Sequence, residues 1–96
     1  MKKTNTESLG NVIFEYLRAM GLETPLNEHR VISAWPEVVG GVLAGYTQEL
    51  KIFNRTLFVK VSSAAVRNEL MMRRTELVAR LNAKAGAQVI SGIVLR

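Results

Sequence analysis

The chain of 96 residues contains no cysteine and no aspartate, one histidine and two prolines. Without cysteine there is neither a disulfide framework nor thiolate chemistry. The single histidine, His29, therefore has no Cys or Asp to join it as nucleophile, orienting acid or metal ligand, and no CxxC or HExxH spacing occurs. Neither an enzyme nor a cofactor is expected. Long apolar runs are missing too: stretches such as Val42-Leu43-Ala44 fall far short of the roughly 20 residues that a membrane span requires. The opening Met1-Lys2-Lys3-Thr4-Asn5-Thr6 has no apolar region behind its lysines, so no secretory signal is read. These absences point to a cytoplasmic protein with no membrane partner and no small-molecule substrate.

What is present suits one small domain. With 48% apolar and 22% charged residues the chain can build a single modest core, and residues 1–6 read as a disordered lead-in. The charge balance is +5, and it is unevenly placed: Met1 to Gln48 nets −1 while Glu49 to Arg96 nets +6. An anionic partner, nucleic acid before a membrane surface, is more compatible with that bias than with an average composition.

The periodicity changes twice along the chain. Leu9, Val12, Ile13, Tyr16, Leu17 and Met20 recur at helical spacing, which predicts a helix over about Glu7 to Met20 ending at Gly21. Thr24-Pro25 signals a second start leading into Leu26, Val31, Ile32 and Trp35, and Pro36 is expected to end that helix, leaving residues 36–44 as a separate turn or short helix. From Tyr46 the period becomes two: Tyr46, Gln48, Leu50 and Ile52 point one way, and Thr47, Glu49, Lys51 and Phe53 the other. Asn54-Arg55 separates this strand from a second, residues 56–62, whose Leu57, Val59 and Val61 share a face. The two form a hairpin, with a loop of two residues or slightly more.

Ser63 then caps a long helix with Val66, Leu70, Leu77 and Leu81 on one stripe, ended by Gly86. Residues 88–95 read as a last strand, with Val89, Ile93 and Leu95 on one side and Ile90 and Val94 on the other. The order ααββαβ gives an α+β fold, a three-stranded sheet with helices packed mainly on one face.

Two surfaces carry candidate binding residues. On the long helix Arg67 and Arg74 flank the apolar stripe with no carboxylate four residues away, so they are expected to be the freer charges. Arg73, Arg80 and Lys84 lie on the other border, where Glu69 and Glu76 stand at ion-pairing distance in sequence from Arg73 and Arg80; a solvated, self-paired helix face accounts for them. On the sheet, the face opposite Leu57, Val59 and Val61 is expected to display Lys51, Phe53, Phe58 and Lys60, joined by Ile90 and Val94, with Arg55 in the adjoining turn. Apolar, aromatic and basic groups together suit bases stacked over phosphate contacts, a partner protein, or a second copy. Trp35, by contrast, falls on the apolar side of its helix and reads as core.

The run Ala34-Trp35-Pro36-Glu37-Val38-Val39-Gly40, then Thr47, the stretch Leu57-Phe58-Val59-Lys60-Val61-Ser62-Ser63-Ala64, Leu70, Leu81-Asn82, Gly86 and a closing Val-Ile strand resemble the DciA family over nearly the whole chain. The resemblance implies a KH-like domain of bacterial proteins that bind the replicative DnaB-type helicase and assist its loading on DNA. Many members carry a long flexible segment beside this domain, whereas here the sequence reaches Arg96 directly after its last strand. The GxxG loop with which many KH domains clamp a nucleic-acid backbone is not reproduced by Gly40-Gly41. The expectation is a non-catalytic replication module whose partners are the helicase, weakly held single-stranded or tailed DNA, and a second copy as homodimer. The alternative is a protein adaptor with no physiological nucleic-acid role.

Overall fold

The computed structural model describes residues 12, 13, 15 and 23–96. The first helix expected from sequence lies outside them except at Val12, Ile13 and Glu15, which are helical and exposed; residues 1–6 lie outside them altogether. The described elements are α1 (Glu23–Val39), α2 (Gly41–Ala44), β1 (Thr47–Phe53), β2 (Thr56–Val61), α3 (Ala64–Met72), α4 (Arg74–Ala85) and β3 (Gly92–Leu95). The order ααββααβ is that of an α+β fold approximating the KH-like arrangement.

Helix α1 runs through Pro36 instead of stopping before it. Proline inside a helix costs about 3 kcal/mol. Continuing the helix, however, buries Val38 and Val39 in register with Val31 and Trp35, a gain of about 1.5–3 kcal/mol per valine. Burial wins, and the break falls at Gly40, whose φ of 94° is one that only glycine takes without strain. The short helix expected after Pro36 is reduced to α2.

The strands β1 and β2 pair antiparallel through a two-residue turn, Phe53 standing opposite Thr56. Asn54 and Arg55 both have positive φ, 53° and 61°, the signature of a type I′ turn. Arginine tolerates that conformation poorly, so its neighbours matter. The Arg55 carbonyl accepts from the Ser91 amide at 2.8 Å and the Ser91 hydroxyl at 3.2 Å, and its guanidinium donates to the Gln88 carbonyl. The loop before β3 thus holds the turn in place.

One irregularity changes the parity of β1. Thr47 pairs with Val61 but Glu49 with Lys60, so Gln48 is an extra residue in the ladder. Thr47 is thereby turned to the inner side, against the simple alternation, and its hydroxyl accepts the Trp35 indole N–H at 2.9 Å. Beyond the bulge the alternation holds: Leu50 and Ile52 are half-buried while Lys51 and Phe53 are exposed.

The helix after Ser63 is two helices. Ser63 caps α3 by accepting from the Val66 amide, and Gly86 closes α4 in the left-handed region with φ 78°, both as expected. Between them Arg73 leaves the helical path at φ −107°, ψ 13°. No glycine or proline marks that break. It lets α3 pack on the sheet while α4 packs chiefly on α1, two surfaces that a straight helix would not serve equally.

The last strand is shorter than the alternation suggests, covering Gly92–Leu95 only. Residues 87–91 form a loop organised by the buried Asn82. Its Oδ1 accepts from the amides of Val89 and Ile90, and its Nδ2 donates to the Ile90 carbonyl at 2.9 Å and to Gln88 Oε1. Strand β3 then pairs parallel with β2, giving the sheet order β1-β2-β3. The core gathers Val31, Trp35 and Val38 of α1, Leu57, Val59 and Val61 of β2, Leu70, Leu77 and Leu81, and Ile90 and Ile93, all on one face of the sheet.

Candidate nucleic-acid interface

The other face of the sheet is built by register. Lys51 stands opposite Phe58, and Phe58 beside Val94, so these three form a row across all the strands. Glu49 stands opposite Lys60 in the next row. Arg96 joins that row from the far side: its amide donates to the Val59 carbonyl at 2.9 Å and its carbonyl accepts from the Val61 amide at 2.8 Å. Phe53 begins the row on the turn side of Phe58 and is 71% exposed; Val94 is 42% exposed.

Arg96 lies with its guanidinium carbon 5.3 Å from the centroid of the Phe58 ring, a cation–π distance. Together with Lys51, Ile52, Phe53 and Phe58 it lines a shallow cavity of about 340 Å³. Neither Lys51, Lys60 nor Arg96 has an ion-pair partner among the described residues. The arrangement therefore offers two aromatic rings and three cations without a formed ion pair on one side of a sheet, with one carboxylate, Glu49, opposite Lys60. Arg96 was missed from the sequence, although extending the alternation from Val94 by two residues reaches it.

Ile90 does not belong to this surface. It is 1% exposed and sits in the core, because it precedes β3 in the loop held by Asn82, where strand parity does not apply. Arg55 flanks the face at the turn, with its guanidinium engaged on Gln88.

The helical cations are arranged differently. Arg80 and Glu76 pair at 3.5 Å with the expected i, i+4 spacing. Arg73 pairs with the same Glu76 at 3.7 Å and not with Glu69, since the break at Arg73 interrupts the turn that would bring Glu69 and Arg73 together. Lys84 reaches across to Glu37 of α1 at 2.6 Å. The bond to Lys84 and its charge hold the Glu37 carboxyl below its ordinary pKa.

Arg67 is not the free charge that its sequence context suggests. It is half-buried, and its guanidinium donates to the Val61 carbonyl at the end of β2 at 3.1 Å, with Nε buried and unpaired. Arg74 is exposed and has no ion-pair partner among the described residues. It borders a separate cleft formed with Thr75, Val78, Ser91, Gly92 and Ile93. His29 is an exposed helix residue near the Ser33 hydroxyl. No group of three or more potential metal ligands occurs among the described residues, and no described helix is long and apolar enough to cross a membrane.

A family model described as Dna[CI] antecedent, DciA, matches residues 8–95. The chain belongs to the DciA family. A UPF0232 protein of Mycobacterium leprae is 26% identical over 87 residues, covering 91% of this chain and 46% of the relative. A UPF0232 protein of Streptomyces avermitilis is 36% identical over 81 residues, covering 82% of this chain and 45% of the relative. The chain thus spans less than half the length of these curated relatives. No solved structure matches it. Within the DciA resemblance, Trp35 and Thr47 have a direct structural link in the indole–hydroxyl hydrogen bond, and Asn82 is the residue that orders the approach to β3.

Proposed function

We propose that this DciA-family domain is a non-catalytic accessory module of DNA replication that engages a DnaB-type helicase and holds single-stranded or tailed DNA on the outer face of its sheet. Family membership supports the helicase partner. The single observation that supports the DNA surface is the row Lys51–Phe58–Val94 with Lys60, Arg96 and Phe53 around it. Aromatic rings accept any base by stacking, and unpaired cations contact phosphate, so binding is weak, salt-sensitive and without sequence preference. Nothing on the face presents a set of donors and acceptors that would read base edges.

A labelled oligothymidylate titrated at low and moderate salt tests this reading. Affinity that falls steeply with salt, and that is lost when Lys51 and Lys60 are both changed to Glu, is the expected outcome. Absence of binding at low salt, or binding indifferent to salt, overturns it.

The second reading, an adaptor without physiological DNA contact, is favoured by the exposure of Phe53 and Val94, since contiguous apolar surface commonly marks a protein interface. Capture of the replicative helicase that survives nuclease treatment supports the adaptor, and recovery only through DNA supports the nucleic-acid module. A homodimer closed through this face is opposed by Lys51, Lys60 and Arg96, which would face their own copies; sizing chromatography at increasing salt tests it.

A further inference from the structure

The two edges of the sheet are unequal. The β1 edge carries Glu49, Lys51 and a bulge, all devices that discourage addition of another strand. The β3 edge is Gly92-Ile93-Val94-Leu95, without charge, proline or bulge. Both backbone groups of Arg96 face β2, so by alternation Val94 also faces β2, while the N–H and C=O of Ile93 and Leu95 point away from it, to the side where no strand pairs among the described residues.

Beside that edge runs a groove. One part, of about 340 Å³, lies among Arg74, Thr75, Val78, Ser91, Gly92 and Ile93. A second, of about 670 Å³, shares Thr75 and Val78 and continues along α4 past Ala79, Ala83 and Gly86. The small side chains on this side of α4 leave room that larger ones would fill. The charge at its mouth is Arg74, which has no ion-pair partner among the described residues, whereas the neighbouring Arg73 and Arg80 share the one carboxylate of Glu76.

We propose that the β3 edge and the α4 groove form a docking site for an extended, acidic and apolar segment of a partner protein, added as a fourth strand. Backbone bonds to Ile93 and Leu95 would supply affinity, alternate apolar side chains would drop into the groove, and a carboxylate would pair with Arg74. Charge complementarity selects this occupant. A second copy would bring another half-chain of net +6 to the same edge, and a nucleic acid offers no strand hydrogen-bond pattern. The site is distinct from the outer face proposed for DNA and does not depend on that reading.

The probe is an eight-residue peptide alternating Glu and Val, with a Lys and Val peptide of the same length as control, titrated into the isotopically labelled 96-residue chain and followed by NMR. The expected result is saturable shifts at Ile93, Leu95 and Thr75 with slowed exchange of the Ile93 and Leu95 amides. The control peptide should produce none of these. Arg74→Glu, an exposed substitution whose fold is checked by circular dichroism, should weaken the Glu-Val peptide at least tenfold, while Lys51→Glu should leave it within twofold. Shifts confined to Lys51, Phe53 and Phe58, equal binding of both peptides, no binding at millimolar concentration, or indifference to Arg74→Glu would each overturn the proposal. Amide protection at Ile93 that rises with protein concentration in the absence of peptide would overturn it in favour of a second copy.

Discussion

Helix α4 and the outer sheet face carry similar numbers of cations, yet they present them differently. On the helix and at the break before it, Arg73 and Arg80 share Glu76 and Lys84 is held by Glu37, which leaves Arg74 alone without an ion-pair partner among the described residues. On the sheet, Lys51, Lys60 and Arg96 surround Phe58 with no ion-pair partner among the described residues. A count of basic residues treats the two regions alike. What an anionic ligand meets is the charge left after internal pairing, and counterion release rewards only the cations that are free to take phosphate. The difference follows from geometry: helix turns bring residues three and four apart into reach of one another, whereas the row Lys51, Phe58 and Val94 is assembled from three separate strands, and the one carboxylate of that face, Glu49, stands in the next row opposite Lys60 without a formed ion pair.

The largest effect is expected on the inner side of the same sheet. Leu57→Ala, at a fully buried position one residue from Phe58, should cost about 3 kcal/mol in urea unfolding by the usual cavity and transfer terms. Phe53→Ser on the outer face should cost less than a third of that. Equal losses would mean that both faces are core, and would remove the distinction between them.

Next in size is the paired charge reversal. Lys51→Glu with Lys60→Glu should weaken oligothymidylate binding at low salt at least tenfold, about 1.4 kcal/mol, and flatten the salt dependence. The matching change on the helix, Arg73→Glu with Arg80→Glu, should weaken it by less than threefold. A helix pair that costs as much as the sheet pair would break the comparison outright, because ion pairing with Glu76 would then not have hidden those charges.

The smallest effect concerns the exposed Glu37–Lys84 pair. The folded-state pKa of Glu37 is lowered by Lys84, so its contribution to stability is present above the ordinary carboxylate pKa and is lost as pH falls through the lowered folded value. Melting curves of the wild type and Glu37→Gln should therefore differ slightly at pH 7 and converge as the pH falls through that lowered value. A gap that widens in acid would contradict the pairing.

Several parts of the fold were legible because they depend on neighbours in sequence. Ser63 and Gly86 mark helix ends through their own hydroxyl and their own permitted φ, Leu57, Val59 and Val61 share a face because a strand has period two, and Asn54-Arg55 turns the chain. Trp35 fell in the core on helical spacing alone. Within the candidate site, Lys51, Phe53, Phe58 and Lys60 lie on the outer face for the same reason. Ile90, Arg67 and Arg96 were misjudged or missed because their positions depend on groups far away in the chain.

The helix and strand periods, the hairpin, two helix caps and the concentration of positive charge after Gln48 are each written in residue type and spacing over a few positions. Long-range packing sets whether Pro36 interrupts its helix, where the helix after Ser63 divides, that the bulge at Gln48 turns Thr47 toward Trp35, and that Asn82 draws Ile90 into the core. It also sets which cations are free. Burial of Val38 and Val39, the fit of α3 and α4 to different surfaces, and the pairing of Lys84 with Glu37 are energies between residues distant in sequence, and no local pattern contains them.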